Sequence, residues 1–181
     1  MGNQVPRNKR VAIIGTWQSE KAAPYKTILQ ELGKLVAEKG YEIVCGAGST
    51  GVFSIVLPAY KEHNGKKITV FLPKLSEMKK VGEKKYVGAD VYVPTNASYP
   101  VRNSIMVEKA DVLVAVAGGL GSLGEIIAGY KDFHKPVFVF NSKKVKKIAP
   151  DCYDFLQGIP ELKKGVTTFS NMQELSKFLA K

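Results

Sequence analysis

Along the chain, apolar runs of four to six residues alternate with longer stretches in which apolar positions recur every three or four residues. The short runs have the character of strands buried on both faces, and the longer ones carry the stripe of helices packed on a sheet. This pattern predicts strands at 10–14, 41–45, 67–72, 89–93, 111–116 and 136–140, with 165–169 as a seventh candidate. After the first strand, Pro24 stands where a helix begins, and Ile28, Leu29, Leu32, Leu35 and Val36 form one face before Gly40 stops it. Near the end, Ser170 with Gln173 three residues on has capping-box spacing, and Leu175, Phe178 and Leu179 supply a face to bury. Residues 52–63 read as a helix in which Pro58 starts a new turn or makes a kink. The fold expected is a single α/β Rossmann-like, doubly wound domain over 1–181. It has six to seven mostly parallel strands with helices on both faces, and residues 1–9 are flexible.

Composition narrows the function classes. With 181 residues and 45% apolar content, the chain can bury a core without disulfide or metal staples. Cys45 and Cys152 fit no paired-cysteine spacing and read as reduced thiols. His63 and His134 stand alone, so no metal site is expected. The longest apolar stretch, 112–117, falls far short of a membrane helix, and 11–14 is too short for a signal peptide, so a cytoplasmic protein is expected. Lys and Arg number 27 against 16 acids, a net charge of +11. Residues 73–88, with Lys74, Lys79, Lys80, Lys84 and Lys85 against Glu77 and Glu83, read as a mobile basic loop; Lys143, Lys144, Lys146 and Lys147 form a second run. Neither interleaves aromatics for base stacking apart from Tyr86 and Phe140, which weighs against nucleic acid as a partner. Ile55, Val56 and Leu57 exceed what one buried helix face needs and point to a homo-oligomer, a dimer or tetramer.

Two glycine-rich segments each follow a strand and open a helix: Gly46-Ala47-Gly48-Ser49-Thr50-Gly51 and Gly118-Gly119-Leu120-Gly121-Ser122-Leu123-Gly124-Glu125. In that context missing side chains admit a ligand to the backbone, and free N–H groups at a helix start receive an anion. The alternative is that the glycines only let tight turns close. A nicotinamide dinucleotide is excluded. The first strand is followed by a single glycine, Gly15, and the position 20 beyond Gly46 is Lys66 rather than an acid.

Glu125 falls in the first turn of the helix after the second motif, placed either by the helix dipole or to face a bound sugar. Arg102 lies near the start of the helix before the fifth strand, where a guanidinium can fork onto phosphate or hydroxyl oxygens; a solvated helical arginine is the plainer account. Trp17 either stacks on a base or caps the sheet.

At these residues the sequence resembles the superfamily of LONELY GUY-type cytokinin-activating phosphoribohydrolases and its relatives, the molybdenum cofactor carrier proteins. The family's P-G-G-x-G-T-x-x-E motif is similar to Ala117 through Glu125, its earlier glycine motif to Gly46–Gly51, and its arginine, fifteen residues before the P-G-G segment, to Arg102. His134-Lys135-Pro136-Val137 and Tyr153-Asp154 resemble later landmarks. Ala117, Ser122 and Asn103 replace the motif's Pro, Thr and the lysine after the arginine, and the Arg102-Asn103 pair looks more like the carrier branch.

The resemblance implies hydrolysis of a purine nucleoside 5′-monophosphate to free base and ribose 5-phosphate, with Arg102 and Glu125 catalytic and no cofactor required. Gly118, Gly119, Gly121 and Ser122 would hold the phosphate, Gly46, Gly48, Ser49, Thr50 and Gly51 would border the ribose, and Asn103 would add to the nucleotide site. The other branch implies a non-catalytic carrier of molybdenum cofactor or another phosphate-bearing ligand. The superfamily also carries a lysine decarboxylase label, but pyridoxal chemistry needs a lysine in the site, and neither glycine motif holds one.

Overall fold

The computed structural model describes residues 9–180. The alternation of the sequence becomes seven strands, β1 (Arg10–Ile14), β2 (Glu42–Cys45), β3 (Ile68–Leu72), β4 (Val91–Pro94), β5 (Val112–Ala115), β6 (Val137–Phe140) and β7 (Thr167–Phe169). All pair in parallel, in the order β4-β3-β2-β1-β5-β6-β7. The chain winds outward from β1 to β4, returns to lay β5 against β1, and winds out the other way. The strand order therefore reverses between β1 and β5, where Val11 pairs with Val112 and Ile14 with Ala115.

Successive side chains of a strand point to opposite faces, and both faces are buried. On one side Val11, Ile13, Ile43, Ile68 and Val114 pack against α2 (Lys26–Glu38), α3 (Phe53–Glu62) and α9 (Met172–Leu179). On the other, Ala12, Ile14, Leu113, Ala115 and Val139 meet α5 (Tyr99–Lys109), α6 (Leu120–Ile127), α7 (Cys152–Gln157) and α8 (Pro160–Gly165). A four-residue helix, α1 (Ser19–Ala22), lies between β1 and α2, and α4 (Leu75–Val81) lies between β3 and β4.

Several expectations change. The basic loop contains α4: Met78 is buried, and Gly82 closes the helix in the left-handed conformation at φ +65°. The last helix is capped one residue later than its Ser170-Gln173 spacing suggests. The Asn171 side chain accepts from the Glu174 N–H, and the Glu174 carboxylate accepts from the Ser170 N–H. The helix through Pro58 runs unbroken from Phe53 to Glu62. Its apolar excess is taken up by the chain's own core, since Val56 and Leu57 are fully buried and Ile55 packs against them, so these residues no longer argue for an oligomer. The expected flexibility of 1–9 lies, Lys9 apart, outside the described residues. Among the described residues no helix is long and apolar enough to cross a membrane.

Candidate functional site

Parallel sheets present a crevice beyond the carboxyl ends of their strands where the strand order reverses. Here the turns after β1 and β5 meet so closely that a Cβ on Gly15 would lie 2.6 Å from the Val116 carbonyl oxygen. One on Gly118, which takes φ +130°, would lie 2.3 Å from Ser122 Oγ. Above them opens a cavity of about 440 Å³. Its wall includes Gly15, Thr16 and Trp17 after β1, Gly46 and Ala47 after β2, Arg102 and Asn103 on α5, and Gly118–Ser122 with Glu125.

The Gly118–Ser122 side is built from backbone. Gly119 precedes the first turn of α6, and the first N–H of this helix to bond back is that of Leu123, to the Gly119 carbonyl. The N–H groups of Leu120, Gly121 and Ser122 thus end the helix without main-chain partners, as helix starts require. Side chains at Gly119 or Gly121 would meet nothing within 4 Å, so the approach is open. Glu125 lies in the second turn of α6 rather than the first, and no acid occupies that first turn. Its three-residue spacing from Ser122 puts both on one helix face.

Arg102 enters from the β2–β3 side. It is 6% exposed, with Nη1 donating to the Phe71 carbonyl at 3.3 Å and its guanidinium 5.4 Å from the Tyr99 ring centre. Its Nε and the Asn103 Oδ1 are buried without any hydrogen-bond partner. Gly46 makes room for the guanidinium: a Cβ there would stand 2.2 Å from Nη1, although its backbone would accept any residue. Glu125 is half-buried as a residue, but its carboxyl sits deep in the crevice. Burial pushes it up to about 7, against the pull of the Arg102 guanidinium. A carboxyl poised near neutrality beside a buried cation can orient water, accept a proton or face a developing positive charge.

Opposite, a network holds the segment that carries Lys147, Ile148, Ala149 and Pro150 into the wall. Asp151, 4% exposed, caps α7 and accepts from the Tyr25 hydroxyl at 2.5 Å and from Lys147 Nζ at 3.2 Å. Lys147 also reaches Asp154 at 2.5 Å and Ser142 Oγ at 2.8 Å, which occupies all three of its donors. Burial opposes the Lys147 charge, but the bonds to Asp154 and Asp151 outweigh it and hold the ammonium above its ordinary range. Burial and the bond to Asp151 push the Tyr25 hydroxyl up.

Of the residues singled out in the sequence, Gly46, Arg102, Asn103, Gly118, Gly119, Gly121, Ser122 and Glu125 line this cavity, as does Trp17. Gly48, Ser49, Thr50 and Gly51 do not; their loop is stitched to its neighbours. Gly48 bridges to Lys85, the Ser49 N–H donates to Lys84, the Thr50 hydroxyl donates to the Trp17 carbonyl at 2.7 Å, and Gly51 at φ +61° packs on Thr16 and Trp17. The sequence reading missed Tyr25, Glu83, Tyr99 and Lys147 as wall residues. Tyr99 alone carried a local signal, one helical turn before Arg102; the others converge only through the tertiary fold.

The family profile of the SLOG cluster4 family matches residues 8–174. The chain is 28% identical over 150 residues to a probable cytokinin riboside 5′-monophosphate phosphoribohydrolase, LOGL5, of Oryza sativa subsp. japonica, a match covering 75% of this chain and 55% of that protein. It is 29% identical over 121 residues to cytokinin riboside 5′-monophosphate phosphoribohydrolase LOG7 of Arabidopsis thaliana, covering 67% of this chain and 54% of that one. It therefore spans about half the length of these relatives. The molybdenum cofactor binding protein of Rippkaea orientalis superposes with a TM-score of 0.75 at 23% identity, covering 98% of this chain and 100% of that one. The molybdenum cofactor carrier protein of Chlamydomonas reinhardtii gives 0.71 at 22%, covering 97% and 100%. These two likenesses bear on the fold, and the profile match fixes the lineage: the chain belongs to the SLOG cluster4 family.

Proposed function

We propose that the cavity binds a purine nucleoside 5′-monophosphate and hydrolyses its N-glycosidic bond, giving the free base and ribose 5-phosphate. The observation that carries this reading is the convergence of Glu125 and Arg102, from different helices, on one cavity with the open N-terminus of α6. The 5′-phosphate takes the N–H groups of Leu120, Gly121 and Ser122 together with the Ser122 hydroxyl. Gly46 and Ala47 border the ribose. As the bond from C1′ to the base nitrogen breaks, its electron pair leaves with the base and positive charge grows on the ribose. The Glu125 carboxylate faces that charge and takes a proton from the water that attacks C1′. Arg102 holds the departing base, which gains a proton as it leaves. The rice and Arabidopsis relatives named for this activity support the reading.

The test is release of ribose 5-phosphate from purine 5′-monophosphates. We expect turnover by the wild type and its loss in Glu125→Ala; release that survives the substitution removes the mechanism. A second reading, a carrier that binds a phosphate-bearing heterocycle such as molybdenum cofactor without turnover, is favoured by the Arg102-Asn103 pair, which resembles the carrier branch and leaves the Asn103 Oδ1 a buried acceptor without a donor. Tight binding with no hydrolysis over hours decides for the carrier.

A further inference from the structure

The cavity holds a second carboxylate that the mechanism leaves unused. Glu83 follows the Gly82 that ends α4 and lines the cavity. Its backbone is anchored by donation to the Met78 carbonyl at 3.0 Å. One carboxylate oxygen, Oε2, accepts the hydroxyl of Tyr99, the first residue of the helix that carries Arg102. Burial and that hydrogen bond push the Tyr99 hydroxyl up, so it stays a donor. Among the described residues Oε1 has no hydrogen bond and no cation pairs with Glu83, although lysines crowd its loop: Lys80 goes to Glu77, and Lys85 sits over the Tyr92 ring. An acid left without a cation in a chain of net charge +11, with its hydroxyl partner tied to the guanidinium helix, is an acceptor held ready for something else.

Asn103 adds to the same demand, since its Oδ1 is a buried acceptor with no donor. Both belong to the Arg102 side of the cavity, across β1 from the α6 N-terminus. That is two strand spacings, about 10 Å, so a ligand with its phosphate on α6 directs its base toward Glu83. A carboxylate only accepts hydrogen bonds. The Watson–Crick edge of adenine offers it one donor beside a ring-nitrogen acceptor, which it repels. A 2-amino-4-oxopyrimidine ring offers two adjacent donors, the ring N–H and the amino group, which a carboxylate takes together.

Resting on the reading above that a phosphate-bearing heterocycle fills this cavity, we infer that Glu83, positioned by Tyr99, selects ligands with a 2-amino-4-oxopyrimidine edge over adenine. Guanine nucleotides and pterins share that edge.

The experiment is calorimetric titration of the full chain with guanosine 5′-monophosphate, adenosine 5′-monophosphate and neopterin monophosphate, repeated on Glu83→Gln and Tyr99→Phe. In the wild type, the guanine nucleotide or the pterin binds roughly ten- to a hundredfold more tightly than the adenine nucleotide, the range expected for hydrogen bonds to a charged acceptor. Whichever of the two binds more tightly names the source. Glu83→Gln presents one donor and one acceptor, and so reverses the order in favour of adenine, an outcome that damage to the fold cannot produce. Tyr99→Phe frees the carboxylate and shrinks the preference without reversing it. Equal binding of the adenine and guanine nucleotides, or a guanine preference that persists in Glu83→Gln, overturns the inference and leaves the nucleotide reading standing. Failure of all three compounds to bind overturns both.

Discussion

Replacing Gly46 by alanine adds one methyl group at a backbone that tolerates any residue, and it does so against the tip of Arg102. The new Cβ would lie 2.2 Å from Nη1 and 3.1 Å from Cζ. Ordinary contact needs about 3.5 Å, so the guanidinium retreats by roughly 1 Å. It thereby gives up the 3.3 Å bond to the Phe71 carbonyl. The neighbour is the end of a flexible side chain, so the fold absorbs the change: one lost hydrogen bond costs about 1 kcal/mol, or some 2–4 °C in Tm for a domain of this size. Function responds far more, because a displacement of about 1 Å at a positioned group costs on the order of a hundredfold. We expect Gly46→Ala to lower kcat/KM for ribose 5-phosphate release by about that factor, with a matching loss of nucleotide affinity if the protein acts as a carrier. In an Arg102→Ala background Gly46→Ala should have no further effect, since the methyl then meets nothing it can displace. Wild-type function in Gly46→Ala, or an equal loss in the absence of Arg102, refutes the reasoning.

Glu125 sets two pH dependences. Its folded value, pushed up to about 7 by burial, lies above that of the unfolded chain. Its contribution to stability is therefore fully present below about 4.5 and is lost as pH rises through about 7; Glu125→Gln should be the more stable protein at pH 8, by at most about 3 kcal/mol, with the gap closing by pH 4.5 in denaturant titrations. Catalysis needs the ionised carboxylate, so kcat/KM should fall as pH drops through 7. Ala117 takes φ +54°, which proline cannot reach, so Ala117→Pro should cost about 3 kcal/mol or more by urea denaturation, whereas Ala117→Gly should gain about 1 kcal/mol. Asp151→Ala removes a cap and the acceptor of the Tyr25 hydroxyl while leaving Lys147 paired with Asp154 and Ser142, and should cost about 2 kcal/mol in the same assay.

The strands were legible because parallel strands buried on both faces read as continuous apolar runs. The two glycine turns were legible because each followed such a run. The Gly118–Ser122 loop lines the cavity, and Gly119 and Gly121 open onto space. The Gly48–Gly51 loop has the same spacing but does something physically different, because its positive-φ Gly51 and the Thr50 hydroxyl fasten the turn after β1. Spacing alone could not separate an open cradle from a fastened one, because the difference lies in what the fold brings up against the place where each glycine's Cβ would stand. The short α4 was hidden by its lysines, although the three-residue spacing of Leu75, Met78 and Val81 and the closing Gly82 mark it. Glu83 was read as one acid in a basic loop. Its meaning depends on Tyr99, sixteen residues away and across β4 in the chain.

The central claim is that a phosphate sits on the start of α6 while Glu125 acts on the sugar it carries and Arg102 holds the base. A crystal structure of the chain with a bound purine nucleoside 5′-monophosphate tests it most directly. The account predicts phosphate oxygens within hydrogen-bond reach of the Leu120, Gly121 and Ser122 N–H groups, and C1′ facing the Glu125 carboxyl with the base toward Arg102. A nucleotide bound elsewhere, or one in this cavity with its phosphate away from α6, would contradict it.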